Sequence, residues 1–107
     1  MAFYIKQNDT SPAMLATLQD ANGTAINLTG ASVRFHMRTI GSTQTVVDAA
    51  ATVVTPLSGI VRYNWIAADT DTIGSYQAEF EVTYADASIE TFPNDGYIRV
   101  EIVDDIA

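Results

Sequence analysis

From Ser75 to Tyr84 apolar and polar side chains alternate without a break. Tyr76, Ala78, Phe80, Val82 and Tyr84 fall on one face, and Ser75, Gln77, Glu79, Glu81 and Thr83 on the other. A period of two belongs to a strand with one buried and one wet face. Ala31 to Arg38 repeats the pattern, with Val33, Phe35 and Met37 opposite Arg34, His36 and Arg38. Gly59 to Ile66 places Val61, Tyr63 and Trp65 against Arg62 and Asn64, and Tyr97 to Val103 places Ile98, Val100 and Ile102 inward. Phe3 to Gln7, Ala13 to Gln19, Gln44 to Val54 and Ile89 to Phe92 read as shorter or less regular strands. Turn chemistry separates them: Asn8 to Pro12, Asp20-Ala21-Asn22-Gly23, Gly41-Ser42, Pro56 to Gly59, Ala85 to Ser88 and Pro93 to Gly96. No stretch of ten residues has helical periodicity, and Ala67 to Thr72 fits one short turn capped by Asp69 or Thr70. Short strands at roughly 8–12-residue spacing predict an all-β fold. The expected architecture is an immunoglobulin-like β-sandwich of seven to eight antiparallel strands, in one domain over residues 1–107.

That architecture assigns roles to particular residues. Gly74-Ser75-Tyr76 follows an Asp/Thr loop at the start of the sixth strand, where such sandwiches carry a tyrosine corner. Tyr76 is therefore expected to bond back to backbone just upstream. The same strand order pairs the third strand with the sixth, setting Arg34, His36 and Arg38 against Gln77, Glu79 and Glu81. This charged face, through Arg34, Arg38, Glu79 and Glu81, is the candidate docking surface. Ile60, Ile66, Tyr97 and Val103 fall on outward positions, and the first and last strands are expected to offer free edges.

Charge narrows the partners. Thirteen acidic against five basic residues leave a net charge of −8. That excludes nucleic acid or an anionic membrane as the main partner, because phosphate binding runs on Lys and Arg. No apolar run approaches the ~20 residues of a membrane helix, and Met-Ala-Phe-Tyr-Ile-Lys lacks a signal layout. With no cysteine there are neither disulfides nor thiolate metal sites, which fits assembly in a reducing cytosol.

Candidate chemistry is sparse. The lone histidine, His36, sits on a polar strand face with no second histidine for a metal site. No nucleophile elbow, phosphate-binding glycine motif or zinc-protease helix occurs. The weak metal candidates are Asp69 and Asp71, with Asp95 as an added carboxylate. Calcium wants six to eight oxygens, so turn and cap duty is the better reading of these residues. The chain is read as a non-enzyme with no cofactor.

The stretch FYIKQNDTSPAMLATLQDANGTAINLTGASVRFHMR resembles the N-terminal domain of the phage baseplate upper protein family. That family opens on an aromatic-x-Ile-Lys-Gln-Gly-Asp-Thr-x-Pro segment. An Asp-x-x-Gly turn, a Leu-Thr-Gly-Ala step and a Val-x-Phe-x-Met strand follow. GIVRYNWIAADTDTIGSYQAEFEVTYADASIETFPNDGYIRVEI continues the likeness, so that it covers Phe3 to Ile102. Asn8 stands where the family usually has Gly, and Asn tolerates a left-handed φ. The resemblance implies a virion structural protein of a tailed phage, made in the host cytoplasm. It implies an adaptor for other virion proteins, with self-association into a symmetric ring as one form of assembly. A capsid decoration or head-fibre protein, and a module holding host-surface glycan through Tyr97 and loop carboxylates, are the alternatives.

Overall fold

The computed structural model describes residues 2–106; Met1 and Ala107, the ends of the expected domain, lie outside them. Strand β1 spans Ala2–Lys6, β2 Met14–Thr17, β3 Ser32–Thr39 and β4 Thr45–Thr55. Strand β5 spans Ile60–Tyr63, β6 Gly74–Thr83, β7 Ile89–Phe92 and β8 Ile98–Val103. Each falls on a segment that the sequence pattern marks. Among the described residues the helical content is two short 3-10 turns, Pro56–Ser58 and Ala67–Thr70. No helix is long and apolar enough to cross a membrane.

The strands build one sheet in the order β1-β8-β6-β3-β4-β5-β2, nearly closed into a barrel, with β7 also paired to β6. The centre is the pair of long alternators. β3 and β6 run antiparallel with Phe35 opposite Phe80 and Val33 opposite Val82. The sheet turns its corner along β4, whose Thr45–Ala51 half pairs with β3 and whose Thr52–Thr55 half pairs with β5. Register shifts at Met37/Arg38 and at Val53/Thr55 mark the bend, as bulges do where a strand changes direction.

The structure corrects two expectations. The β1–β8 ladder is parallel, from Ala2 opposite Arg99 to Lys6 opposite Val103. The two ends of the chain therefore lie side by side, and the last strand is interior. The free edges belong to β1, β2 and β7. The sheet also holds its core by curling over itself. Phe35 stacks on Tyr63 at 4.3 Å between centroids, although β4 separates their strands. Trp65 meets both rings edge-on at 5.5 and 5.2 Å, and Phe80 lies 5.2 Å from Phe35.

Loops tie the ends of the curl. The Tyr76 hydroxyl donates to the Thr72 carbonyl at 2.5 Å, which is the corner bond expected of Gly74-Ser75-Tyr76. Buried Thr70 donates to the Asp9 carbonyl at 2.8 Å, and Asn8 donates its N–H to the Thr70 carbonyl at 2.9 Å. Asn8 takes φ 66°, the left-handed conformation that glycine would supply. Leu28, in the segment between β2 and β3, is 1% exposed and plugs the core. Gly59 is needed twice over. Its φ is +65°, and a Cβ there would sit 2.6 Å from the Leu18 carbonyl oxygen and 3.0 Å from that of Ile26.

Gly59→Ala is expected to cost more than about 2 kcal/mol, since left-handed strain alone reaches roughly 1–2 kcal/mol and the neighbouring backbone cannot yield. Tyr76→Phe, which removes one hydrogen bond and keeps the ring, is expected to cost about 1 kcal/mol. Urea denaturation checks both. A wild-type midpoint for Gly59→Ala would show that this turn has an alternative backbone.

Candidate functional site

The outer face of β3 carries the charges. Register sets Arg34, His36 and Arg38 beside Glu81, Glu79 and Gln77 of β6. On the other flank they meet Ala50, Asp48 and Thr45 of β4. Each outward side chain of β3 thus has two strands to bond with. Arg34 turns to β4: its Nε donates to Asp48 Oδ1 at 2.8 Å and a terminal nitrogen donates to the Asp48 carbonyl at 3.0 Å. Glu81, opposite Arg34 in register, is not its partner and makes no hydrogen bond or ion pair among the described residues. Asp48 was not legible as a partner, because the alanine-rich β4 shows no clean alternation that would have fixed its face.

His36 bridges three strands. Its Nε2 lies 3.2 Å from Asp48 Oδ1 and its Nδ1 3.4 Å from Glu79 Oε2. A neutral imidazole has one N–H and can donate to only one carboxylate, whereas the imidazolium donates to both. The two ring nitrogens point apart, so this trio does not converge on one point as a metal centre would.

Arg38 completes the row. Its Nε donates to Gln77 Oε1 at 3.3 Å, and a terminal nitrogen donates to the Tyr97 hydroxyl at 3.1 Å. The guanidinium carbon also stands 5.4 Å from the centre of the Tyr97 ring. His36, Arg38, Thr45, Asp48, Gln77, Glu79 and Tyr97 enclose a polar hollow of about 320 Å³. The Tyr97 ring, an expected outward aromatic, is partly covered by Arg38.

The loop carboxylates serve structure. Asp69 Oδ2 accepts the Tyr63 hydroxyl at 2.6 Å and the Ile66 N–H at 3.0 Å. Desolvation, and then this bond to Asp69, push the Tyr63 phenol well above its ordinary range. Asp71 Oδ1 accepts the Thr72 hydroxyl at 2.9 Å. Asp95 lies in the β7–β8 loop, opposite the Ala78–Phe80 part of β6, and so well along the sheet from Asp71, which precedes Gly74. Among the described residues no group of three or more His, Cys, Asp and Glu has metal-binding geometry.

The family model of the BppU N-terminal domain, the N-terminal domain of the phage baseplate upper protein, matches residues 2–105. No curated protein matches the chain. The chain belongs to the BppU N-terminal domain family. That family is one of phage baseplate-associated structural proteins, which implies a virion component that interacts with other virion proteins.

The Arg34 hydrogen bond holds the Asp48 carboxyl below its ordinary 3.8, helped by the charges of Arg34 and His36 and opposed by desolvation. A carboxyl lowered in the folded state contributes stability above its unfolded value, and that contribution is lost as pH falls through the folded value. Arg34→Met should therefore move the Asp48 titration upward toward 3.8. It should also flatten the acid side of the stability curve below about pH 4. Carbon-detected carboxyl titration reads the first effect and acid unfolding the second. An unmoved Asp48 would show that Arg34 does not set its charge.

Proposed function

We propose that this chain is a structural adaptor of the baseplate or tail region of a tailed phage, acting by protein–protein contact and not by catalysis. The observation that carries the reading is the family match across residues 2–105. The charged groups support it: each outward carboxylate or cation described on β3 and β4 is engaged with another side chain or with backbone. None of them is left as an isolated base or nucleophile. An immunoglobulin-like reading of the fold is supported by the Tyr76 corner bond and by the Trp65 ring packed in the core.

The proposed contact surface is the outer face of β3 and β6, with Arg34, Arg38, Glu79 and Glu81. Arg34 is 48% exposed at its side chain, so its pairing with Asp48 leaves it accessible to a partner. Among the described residues Glu81 has no partner to give up. Production in the host cytoplasm is supported by the absence of cysteine. Other virion proteins are the partners, and further copies of this chain join them where the assembly is a ring.

Two measurements test this reading. Light scattering over a concentration series is expected to give a defined oligomer for a ring-forming component. A strict monomer would place assembly on a heterologous partner. Particles complemented with the Arg34→Glu, Arg38→Glu double variant are expected to lack the protein while the isolated chain stays folded. Wild-type incorporation would remove this face from the interface.

A further inference from the structure

The sheet stops short of closing between β2 and the corner where β7 meets β8. Among the described residues β2 pairs only with β5, and β7 only with β6. A groove of about 690 Å³ runs along the gap. One wall runs from Leu15 to Thr17 of β2 and on to Asp20, and the opposite wall is Phe92, Pro93 and Ile98. Leu15 is 61% exposed beside it, and Ile60 reaches it from β5.

The bare edge of β2 has a defined hydrogen-bonding pattern. Leu18 donates its N–H to the Gly59 carbonyl at 2.8 Å, on the β5 side. Main-chain groups alternate along a strand, so those of Met14 and Ala16 face β5 as well. The N–H and C=O of Leu15 and Thr17 then point into the gap. Met-Leu-Ala-Thr is short, but it carries no charge, proline or bulge to blunt its edge. β1 carries Lys6, and β7 carries Glu90 and ends against Pro93.

We propose that this gap receives an extended segment of another protein, which adds to β2 as a strand and completes the barrel. Every second side chain of the segment is apolar and packs on Ala16, Leu18, Phe92 and Ile98. A basic side chain lies where the segment passes Asp20. The lining supports this choice of chemistry. Among the described residues Asp20 is the one charged residue that lines the groove, and its Oδ1 already caps the turn by accepting the Asn22 and Thr24 N–H groups. The second oxygen remains for a cation, and the chain as a whole carries −8. Main-chain bonds supply affinity in such strand addition, and alternate side chains supply selectivity.

The inference rests on the reading of the chain as a protein-binding module, but not on the β3–β6 face, and its test is separate. The probes are the hexapeptide acetyl-Lys-Val-Thr-Val-Thr-Val-amide and its Glu-led counterpart, titrated into the isotope-labelled chain. The Lys-led peptide is expected to shift amides of β2 and of Phe92 to Ile98 and to slow hydrogen exchange at Leu15 and Thr17. The Glu-led peptide should bind several-fold more weakly at low salt, a difference that Asp20→Asn removes. Thr17→Pro removes an N–H that faces the gap and no ladder donor to β5, and should abolish binding while the spectrum stays folded. Leu15→Lys, which keeps the backbone donors, serves as the second block should the proline unfold β2. No saturation into the millimolar range, or shifts centred on β3 and β6, would overturn the proposal. So would a change in the mass of the free chain on Thr17→Pro, which would assign the edge to a second copy.

Discussion

The stacking of Phe35 on Tyr63 is the contact on which the rest of this structure depends. The two rings lie 4.3 Å apart and within 13° of parallel, yet they come from strands that are not neighbours. They meet only because the sheet has curled. Loop hydrogen bonds fasten parts of that curl, but among the described residues no backbone ladder joins β2 to β7 to close it. No disulfide staples it either. The aromatic cluster of Phe35, Tyr63, Trp65 and Phe80 takes that role, each ring contributing about 2–3 kcal/mol through burial and roughly another 0.5–1.5 kcal/mol per ring pair. The bend of β4 and the placement of Gly59 serve this contact, because both set how far β5 swings over β3.

Much of this was legible because β3 and β6 are long and strictly periodic. Alternation alone named Val33, Phe35, Met37, Tyr76, Ala78, Phe80 and Val82, and all are buried. The strand order of the expected sandwich paired β3 with β6 and set Arg34, His36 and Arg38 against Gln77, Glu79 and Glu81, which the structure also places face to face. What escaped follows from where a period of two stops being informative. β4 serves two ladders and changes its neighbour midway, so its sequence carries no single face; Asp48 was missed for that reason. Leu28 lies outside the strands and is buried by tertiary packing, which local pattern does not encode. The parallel pairing of β1 with β8 joins the two ends of the chain, and no turn between them could have announced it.

The charges show the same division between local and non-local information. Of the five basic side chains, Lys6, Arg34, Arg38 and Arg99 each donate to a described partner. Arg62 is the exception, with a buried Nε that meets no acceptor among the described residues. Sequence could place the first groups on faces but could not choose between flanking strands. Arg34 had Glu81 on one side and Asp48 on the other, and it took Asp48, where one guanidinium reaches both a carboxylate and a carbonyl. Such forked contacts are the stronger kind. The consequence is that Glu81 has no partner among the described residues, and a face that looks evenly paired in sequence is uneven in space.

An unprotected strand edge is ordinarily a hazard, because a second copy can pair with it. Two features restrain that outcome at β2. The strand is four residues long, so the ladder it offers is short. The net charge of −8 also sets copies of the chain against one another before the edges meet. The second restraint reverses for a basic segment, for which the same field is attractive. Charge that is distant from the edge can thus select its occupant without occupying the edge itself. This explains why Met-Leu-Ala-Thr tolerates having no charged residue, whereas β1 and β7 carry Lys6 and Glu90. The groove walls sharpen the selection further: Phe92, Pro93 and Ile98 reward a segment with apolar side chains at alternate positions and give nothing to a uniformly polar one.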